Sequence, residues 1–532
     1  MSVNEVRILV SDKLSQDGVK ILQDTPGFTV DVKVGLSPEE LLKIIPEYDG
    51  LVIRSATTAN KQLLEAATRL KVIGRAGIGV DNVDVPAAST KGVVVMNTPE
   101  GNIVTTAEHA ISMMMALSRQ IPQATASIKE GKWEKKKFMG VEMFNKTLGI
   151  IGIGRIGSIV VRRARALEMK VIAFDPFISN EAAEKMGVEL VSLEELYKRA
   201  DFVSIHTPLT DETRNLLNAS TLAKMKKGVR IVNCARGGII NEADLAEAIK
   251  TGHVAGAALD VFEQEPPAVD NPLIGLENII FTPHLGASTT EAQENVAVAV
   301  AEQFVDFFIN GITRNAVNMP SIPAEQVAVV RPYMSLGEKM GSFIAQVAGG
   351  APKEVKIEFM GELTQVDSRP VTQAILKGIL EQYVGATVNL VNAPFLAESR
   401  SIAVSSTTSS VKRNFASLLG LTLVSEKGSI HIEGAIFLDG EPRLVRLEDI
   451  PIEAVLGGTL ILAANNDRPG VIGAIGACLG AHKVNIAAFH LGRQESGGKA
   501  MAIVNVDSVP DSTVITELSK IENILDVKLA RL

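Results

Sequence analysis

The chain has 532 residues, of which 46% are hydrophobic and 21% charged, and its formal net charge is −8. That length exceeds what one hydrophobic core supports and predicts about three or four domains, while the acidic balance, without a large Lys/Arg cluster, argues against a nucleic-acid partner. The only two cysteines, Cys234 and Cys478, are too few and too far apart for a disulfide framework or a metal site, which favours a reducing compartment.

The N-terminal segment, MSVNEVRILVSDKL, has an acid at Glu5 and only a short apolar run, unlike a signal or transit peptide. No window of the sequence reaches the ~18 uninterrupted apolar residues that a membrane-spanning helix needs. We therefore expect a cytoplasmic protein with no membrane partner.

Residues 1–98 alternate strand-like and helix-like segments, which predicts a parallel sheet. Arg54 and Arg75 each stand where a predicted strand ends. Because ligands bind at the carboxyl ends of parallel strands, two cations there indicate an anionic substrate. Either arginine taken alone is better explained as an ordinary surface residue.

Residues 100–120 predict one long, mostly buried helix. We assign His109 and the methionines at 113–115 to packing inside the protein. Trp133, the only tryptophan, stands beside lysines 135–137 in a basic run that we interpret as a solvated face.

The stretch LGIIGIGRIG predicts a strand, a tight glycine turn and a helix. Gly152 would make the turn, Gly154 would let the backbone approach a pyrophosphate, and Gly157 would let the helix pack closely. A single glycine pattern of this kind fits a close-packed strand-to-helix turn about as well as it fits a nucleotide-binding site. Asp175, at the end of the next strand, favours the first interpretation because it stands where a carboxylate binds the adenosine ribose.

The choice between NAD and NADP depends on the residues after Asp175. No Arg or Lys follows it before Lys185, so nothing adjacent would bind a 2′-phosphate. We therefore predict NAD. The alternative, an acid that only shapes the turn before Pro176, explains less.

Three further segments place polar residues directly after apolar strands: CARGG, FEQEPP and PHLGAS. They contribute Arg236, Glu265 and His284, which can converge at one edge of a sheet. Oxidising a 2-hydroxy acid needs a base for the hydroxyl proton, a partner that orients the base, and a cation for the carboxylate. His284, Glu265 and Arg236 suit these roles, and Asp260 is predicted to orient the nicotinamide end or the catalytic loop.

Near residue 320 the composition changes, and SIPAE at residues 321–325 predicts a linker. Residues 320–455 give an α+β pattern without an evident catalytic constellation. Residues 458–532 follow the order strand, helix, strand, strand, helix, strand, which is ferredoxin-like.

These motifs resemble the D-isomer-specific 2-hydroxyacid dehydrogenases. The glycine turn, VNCARGGII, AALDVFEQEPP and TPHLGAST carry the resemblance, and RSAT, GRAGIGVDNVD, NTPEGN and WEKKKF are similar to long members that oxidise 3-phospho-D-glycerate. The resemblance implies an α/β fold with a doubly wound parallel Rossmann sheet, residues 99–288, inserted in a flavodoxin-like substrate-binding domain, residues 1–98 and 289–316. It also implies an α+β intervening domain like an allosteric substrate-binding domain, residues 320–455, and a ferredoxin-like ACT regulatory domain, residues 458–532.

The resemblance also implies site residues, with Arg236, Glu265 and His284 as the catalytic set. The implied NAD-binding positions are Gly152, Gly154, Arg155, Ile156, Gly157, Asp175, Thr207, Cys234, Ala235, Arg236, Asp260, His284, Leu285, Gly286 and Ala287. The implied substrate-binding positions are Arg54, Arg75, Asn102 and Lys135, the last reaching a neighbouring subunit's site, and the implied effector-binding positions are Asn465, Asp467 and Asn485. Two positions depart from the family pattern: Ile78 stands where relatives often have Thr, and Asn465 where serine-inhibited relatives have His.

The function implied is NAD-dependent oxidation of 3-phospho-D-glycerate to 3-phosphooxypyruvate, the first step of L-serine biosynthesis, by a homodimer or homotetramer with L-serine as a candidate effector. One alternative is a reductase for an unphosphorylated 2-keto acid, such as glyoxylate or hydroxypyruvate, which Arg54 and Arg75 argue against. Another is an NAD-sensing corepressor without turnover, which the intact catalytic set disfavours.

Overall fold

A computed structural model describes residues 5–320, 322, 326–409, 415–437 and 440–532. The predicted linker at residues 321–325 lies outside the described residues except for Ile322. Among the described residues, no helix is both long enough and apolar enough to cross a membrane.

The first unit is a parallel sheet with the strand order β2-β1-β3-β4-β5, as in flavodoxin-like folds. Its strands are β1 Val6–Val10, β2 Phe28–Val32, β3 Gly50–Ile53, β4 Val72–Arg75 and β5 Val94–Asn97. Its helices are α1 Gln16–Gln23, α2 Pro38–Ile44, α3 Lys61–Ala66 and α4 Val85–Lys91. Local sequence sets these boundaries: Ser37 and Glu40 form a reciprocal capping box at the start of α2.

The second unit begins with helices α5 Ile103–Arg119 and α6 Ile121–Lys129. Its parallel sheet has the strand order β12-β11-β10-β9-β6-β7-β8, the doubly wound order of a Rossmann sheet with one additional strand. The strands are β6 Thr147–Ile151, β7 Lys170–Phe174, β8 Glu189–Leu190, β9 Phe202–Ile205, β10 Val229–Asn233, β11 Val254–Leu259 and β12 Ile279–Phe281. The helices between them are α7 Arg155–Ala166, α8 Asn180–Met186, α9 Leu193–Arg199, α10 Ala219–Leu222 and α11 Glu242–Lys250.

Helix α12, Thr290–Val305, returns the chain from the second unit to the first. Its buried Val300 and Phe304 fill the space over Gly74 of β4, and α1 approaches it closely at Gly18. A π-helical turn, Asp306–Asn310, ends at Gly311 with φ +63°. The first unit is therefore built from two separate parts of the chain.

The third unit packs helices on one antiparallel-rich sheet of order β14-β13-β15-β16-β17-β18, in which β13 and β14 are parallel. Its elements are α13 Val327–Ala348, β13 Pro352–Gly361, α14 Arg369–Val384, α15 Ala393–Ser399, β14 Ala403–Ser409, β15 Ser417–Ser425, β16 Gly428–Ile436, β17 Pro442–Leu447 and β18 Ile450–Val455. It touches the first unit where the Asn389 side chain donates to the Gly92 carbonyl at 2.8 Å, just after α4.

The fourth unit has the sheet order β20-β21-β19-β22 with all neighbouring strands antiparallel. Its elements are β19 Thr459–Asn466, α16 Val471–Ala481, β20 Ile486–Arg493, β21 Lys499–Val506, α17 Ser512–Leu518 and β22 Ile524–Arg531. Leu460, Leu462 and Ile503 belong to the same hydrophobic core as the third unit. The Gln346 side chain of α13 donates to the Arg531 carbonyl at 2.8 Å and accepts from the Arg531 N–H at 2.9 Å.

The predicted fold class is confirmed, whereas the residue numbers given for the domain boundaries stay predictions. One element differs from its prediction: the helix expected over residues 100–120 starts at Ile103, and α6 follows it after Gln120, whose φ is +52°. Met113 and Met114 are buried as expected, but Met115 is 43% exposed because it faces away from the sheet.

Candidate active site

A cleft of about 720 Å³ lies where the carboxyl ends of the two parallel sheets face each other. Both sheets contribute to it, as expected for ligand sites in α/β folds. The predicted site residues that line it are Arg54, Arg75, Asn102, Ile156, Thr207, Cys234, Ala235, Arg236, Asp260, Glu265, His284, Gly286 and Ala287. The cleft therefore brings the three predicted catalytic side chains into one place.

The glycine turn at residues 152–157 adjoins this cleft, and Ile156 of the turn lines it. Gly152 has φ +90°, a left-handed conformation that side chains disfavour, and it packs against Thr207. A Cβ on Gly157 would collide with the Gly152 carbonyl oxygen, whereas a Cβ on Gly154 would meet no atom within 4 Å. Open space in front of Gly154, at the N-terminus of the 12-residue helix α7, is suited to a pyrophosphate.

Several groups here fit NAD. Asp175 accepts backbone N–H groups from Ile153 and Phe177, both at 2.9 Å, so its carboxylate is fixed and keeps lone pairs for ribose hydroxyls. The Thr207 hydroxyl is buried and has no hydrogen-bond partner among the described residues. A buried polar atom without a partner is costly, and a ligand would satisfy it. Arg155 begins α7 and lies 3.5 Å from Glu100.

His284 and Glu265 form a close pair, with His284 Nδ1 2.7 Å from Glu265 Oε2. Burial alone would raise the pKa of Glu265, but hydrogen bonds from His284 and the Phe262 amide together lower it, so the carboxylate stays ionised. The other ring nitrogen, Nε2, is left for a ligand, because Nδ1 is bound to the carboxylate. His284 has φ +53°, a left-handed conformation that a fixed loop imposes.

Asp260 holds the loop that carries His284 in place. It is 1% exposed, and its two carboxylate oxygens accept the Leu285 and Gly286 N–H groups at 2.7 and 2.8 Å. Burial would raise the pKa of Asp260, but hydrogen bonds from His109, Thr282 and Leu285 lower it. Asp260 is therefore an ionised anchor for the segment that carries His284, and the Leu285 side chain itself points outward.

His109, which the sequence assigns to packing, takes part in this anchor. Its Nε2 lies 3.2 Å from Asp260 Oδ1 and 3.0 Å from the Thr282 hydroxyl. The contact joins residues 151 positions apart. No local sequence signal marks it.

Arg236 donates from Nε to Asp81 Oδ2 at 3.1 Å, across the cleft from the first unit, and from Nη1 to the Ala235 carbonyl at 2.7 Å. The Asp81 side chain is 71% exposed, and that of Arg236 is 28% exposed. A carboxylate therefore already accepts one hydrogen bond of the Arg236 guanidinium in the described structure. The sequence analysis did not identify Asp81.

Arg75 and Arg54 line the part of the cleft that belongs to the first unit. Burial lowers the pKa of Arg75, and the nearby Arg236 adds to that effect. Its Nε has no hydrogen-bond partner among the described residues, and the same is true of Asn102 Oδ1. Two neighbouring cations, one of them with an unpaired donor, are suited to an anion with several charges, whereas Asn102 Oδ1 can only accept a hydrogen bond.

Some predicted site residues lie elsewhere. Lys135 is exposed on the arm after α6, the segment of residues 130–146 that leads to β6, and it does not line the cleft. Asn465 and Asp467 lie at one end of the fourth unit's sheet, where Asp467 accepts from Arg493 at 2.8 Å. Asn485 donates to Asp507 at the other end of the sheet, near Thr459. Thr459 and Asn465 are separated along β19 by about 20 Å, at a strand rise of about 3.3 Å per residue. One chain therefore does not bring the three predicted effector residues together.

Comparisons with known proteins agree with this architecture. The model of the D-isomer specific 2-hydroxyacid dehydrogenase NAD-binding domain matches residues 111–286, that of the D-3-phosphoglycerate dehydrogenase intervening domain residues 329–448, and that of the ACT domain residues 459–523. The chain is 44% identical to the D-3-phosphoglycerate dehydrogenase of Synechocystis over 100% of its length and 96% of that protein. It is also 44% identical to that of Methanocaldococcus jannaschii, over 99% of its length and 100% of that protein.

Among solved structures, a D-lactate dehydrogenase from Aquifex aeolicus, complexed with NAD and lactic acid, superposes with a TM-score of 0.52 at 26% identity. The match covers 59% of this chain and 100% of that one. The predicted family, cofactor and enzyme class are confirmed. The chain belongs to the D-isomer specific 2-hydroxyacid dehydrogenase family, and within it to the D-3-phosphoglycerate dehydrogenases that carry an intervening domain and an ACT domain.

Proposed function

We propose that this chain oxidises 3-phospho-D-glycerate to 3-phosphooxypyruvate with NAD, the first step of L-serine biosynthesis. The observation that carries the proposal is the His284–Glu265 pair, 2.7 Å apart, in one cleft with Arg236 and the unpaired donor of Arg75. Relatives of this name match the chain from end to end, which supports the same assignment.

The roles of the side chains follow from their positions. His284 Nε2 takes the hydroxyl proton of the substrate, and Glu265 holds the ring in the required tautomer and stabilises the imidazolium that forms. Arg236 binds the substrate carboxylate through its planar fork and polarises the developing carbonyl. The glycine turn, Asp175 and Thr207 would hold NAD, which would supply the acceptor for the hydride that leaves the same carbon. Asp260 keeps the His284 loop in place throughout.

The phosphate group selects the substrate. Arg54 and Arg75 lie on the opposite wall of the cleft from His284 and are positioned for the far end of a short 2-hydroxy acid. A doubly charged phosphate would pair with these cations, whereas the hydroxymethyl end of D-glycerate would bring no negative charge to Arg75.

Turnover tests the proposal directly. NADH formation is measured with 3-phospho-D-glycerate and with D-glycerate, and kcat/KM is expected to be at least about 100-fold higher for the first, since losing one buried charge pair costs about 3 kcal/mol or more. Equal kcat/KM values would instead indicate a dehydrogenase for unphosphorylated acids.

Catalytic roles are tested with His284→Asn and Arg236→Gln. Both should lower kcat/KM by about 1000-fold or more while NAD binding, followed by fluorescence of added NADH, is retained. Arg199→Gln serves as the matched control, because Arg199 is a surface residue paired with Glu189, away from the cleft. Retained turnover in either site variant would remove that residue from the mechanism.

The assembly is part of the same proposal. Trp133, Met139 and Phe144, on the arm after α6, are 84, 77 and 52% exposed, together with Ile121 and Ile128 of α6. Large apolar side chains gathered in this way are typical of a subunit interface, so we propose a dimer formed through this surface and further pairing into a tetramer. Lys135 lies on the same arm and would reach the site of the second subunit.

L-Serine is the effector that we propose for the fourth unit. Within one copy, Asn465 and Asp467 lie at the opposite end of the sheet from Asn485. Asn465 and Asp467 of one copy would meet Asn485 of a second copy if the sheets of the two copies lay side by side and ran in opposite directions. Asn465 is 3% exposed, and its Oδ1 has no partner in the described structure, which leaves it available to an amino-acid ligand. Steady-state rates with and without L-serine test this, and inhibition that survives Asp467→Ala would place the effector elsewhere.

A further inference from the structure

A cysteine, a histidine and a glutamate meet where α16 and α17 of the fourth unit pack together, and none of them lines the cleft. Cys478 lies on α16, His482 follows directly after that helix, and Glu517 lies on α17. One ligand atom from each side chain lies within 4.8 Å of the other two. Cys478 and His482 are four residues apart, so they project from the same helical face, and α17 packs against that face.

The imidazole of His482 is oriented by its own helix. Its Nδ1 lies 3.0 Å from the carbonyl oxygen of Cys478. A carbonyl oxygen only accepts hydrogen bonds, so Nδ1 carries the proton and Nε2 presents its lone pair. Nε2 faces Glu517, whose Oε2 is 3.5 Å away. A ring nitrogen held by a backbone carbonyl, leaving the other free, is the usual support of a metal-ligating histidine.

We propose that Cys478, His482 and Glu517 bind a divalent cation of the zinc class, with solvent in the fourth position. Sulfur, imidazole nitrogen and carboxylate oxygen are the three donor types that zinc accepts, and three protein ligands with one water form its open tetrahedral site. Binding converts the Cys478 thiol to a thiolate and releases that proton to solvent. The proposal departs from the expectation, drawn from the cysteine count, that neither cysteine belongs to a metal site.

Access and geometry agree with this assignment. The Glu517 side chain is 49% exposed and that of His482 is 28% exposed, so a hydrated ion reaches the cluster without opening the fold. Cys478 is only partly buried at the edge of the core beneath α16. A bound ion would tie α16 to α17, two helices that also share the hydrophobic core of the fourth unit.

A second cluster, His109 with Cys234 and Asp260, has similar spacing but differs in chemistry. The Asp260 oxygens already accept hydrogen bonds from Leu285, Gly286 and Thr282. An ion there would have to displace the anchor of the His284 loop. The outer cluster is therefore the one expected to bind metal.

Cobalt(II) is the probe that distinguishes the two clusters. The full-length chain without an affinity tag is kept reduced and titrated with Co²⁺. We expect a near-ultraviolet sulfur-to-cobalt charge-transfer band that saturates at one equivalent per chain, with visible absorption typical of tetrahedral cobalt, and both should be lost when Zn²⁺ is added. Wild-type protein without such a band overturns the proposal.

Variants make the assignment specific. Cys478→Ser should abolish the band, whereas Cys234→Ser, which changes the only other cysteine, should keep it. Glu517→Gln changes an exposed side chain, so it should fold normally by circular dichroism and still weaken Co²⁺ binding by about 10-fold or more. A band that survives in Cys478→Ser, disappears in Cys234→Ser, or is unaffected in Glu517→Gln would contradict the site.

Discussion

At the residue scale, the Arg236–Asp81 pair shows how the cleft is arranged before a substrate enters. The guanidinium that the mechanism assigns to a substrate carboxylate is bound to a carboxylate from the opposite unit. Asp81 is mostly exposed and can turn into solvent, so a substrate carboxylate can replace it. Asp81 therefore competes with the substrate for the same donor.

Replacing Asp81 with Asn should strengthen substrate binding. The variant keeps the size of the side chain but removes the competing charge, so the KM for 3-phospho-D-glycerate should fall by up to about fivefold, since an exposed ion pair contributes up to about 1 kcal/mol. The value of kcat should change little. Glu189→Gln, which breaks an exposed pair with Arg199, is the control and should leave KM unchanged. A higher KM in Asp81→Asn would show instead that Asp81 positions Arg236.

His206 gives the protein a predictable sensitivity to acid. Burial lowers the pKa of His206 from an ordinary value of 6.5 to about 4, and its Nε2 lies 2.9 Å from the Ser204 hydroxyl. Between these two values the unfolded chain binds a proton that the folded chain does not, so stability decreases as the pH falls. The slope from this one group is at most about 1.4 kcal/mol per pH unit.

Thermal unfolding of wild-type protein and His206→Asn across that pH range measures the effect. The variant should be less stable near neutral pH, because it loses packing, but its Tm should fall less steeply on acidification. The carboxylates with lowered pKa values, Asp260 and Glu265, are common to both proteins and cancel in the difference. Parallel curves would exclude His206 as the source.

Sequence alone predicted His284, Glu265 and Arg236 because each follows an apolar strand directly, and strand ends of a parallel sheet share one edge. It missed His109 and Asp81 because their partners lie 151 and 155 positions away in the chain. Contacts at such separations depend on how the two units pack. No pattern of neighbouring residues encodes that packing.

At the element scale, the glycines in the turn between β6 and α7 meet two different requirements, close packing and access for a ligand. Gly157 is needed for folding, because a side chain there collides with backbone, whereas Gly154 faces open space where the pyrophosphate would bind. The strand, turn and helix were predictable because their signals are local. The break between α5 and α6 was not, since it depends on a left-handed Gln120.

Alanine at each glycine should therefore give different results. Gly157→Ala is expected to destabilise the protein by about 1–3 kcal/mol through overpacking against Gly152. Gly154→Ala should keep the wild-type Tm but weaken NAD binding, since the added methyl group lies where the phosphates approach. Calorimetry and NADH fluorescence measure the two effects, and a large loss of stability in Gly154→Ala would contradict this division.

At the scale of the whole molecule, the third and fourth units share a hydrophobic core, whereas the third and first units meet through a few contacts such as Asn389 with Gly92. Leu447 and Ile452 of the third unit lie in that core together with Leu460 and Leu462. The C-terminal half should therefore unfold as one body. The effector binding proposed for the fourth unit would therefore have to act on the first unit through the third.

Removing residues 458–532 should expose this shared core. In the truncated chain the third unit should be digested rapidly by a protease, while the first and second units stay resistant and keep NAD-dependent turnover. In the full-length chain the third unit should resist digestion. A third unit that stays resistant after truncation would show that its core is complete without the fourth.

Residue spacing along the chain does not show which side chains lie together in the fourth unit. Asn465, Asp467 and Asn485 match one motif set, yet they lie at the two ends of the sheet in one chain. The resemblance that grouped these three residues did not reveal that they are divided between the two ends of one sheet.

Trp133 is the only tryptophan in the chain and its side chain is 84% exposed. Its emission spectrum therefore comes from one known place, the arm after α6. In the proposed dimer the indole would leave water, so its emission maximum should move to shorter wavelength, and dilution should reverse the change. This intrinsic fluorophore would therefore report the dissociation constant of the proposed pairing without labelling.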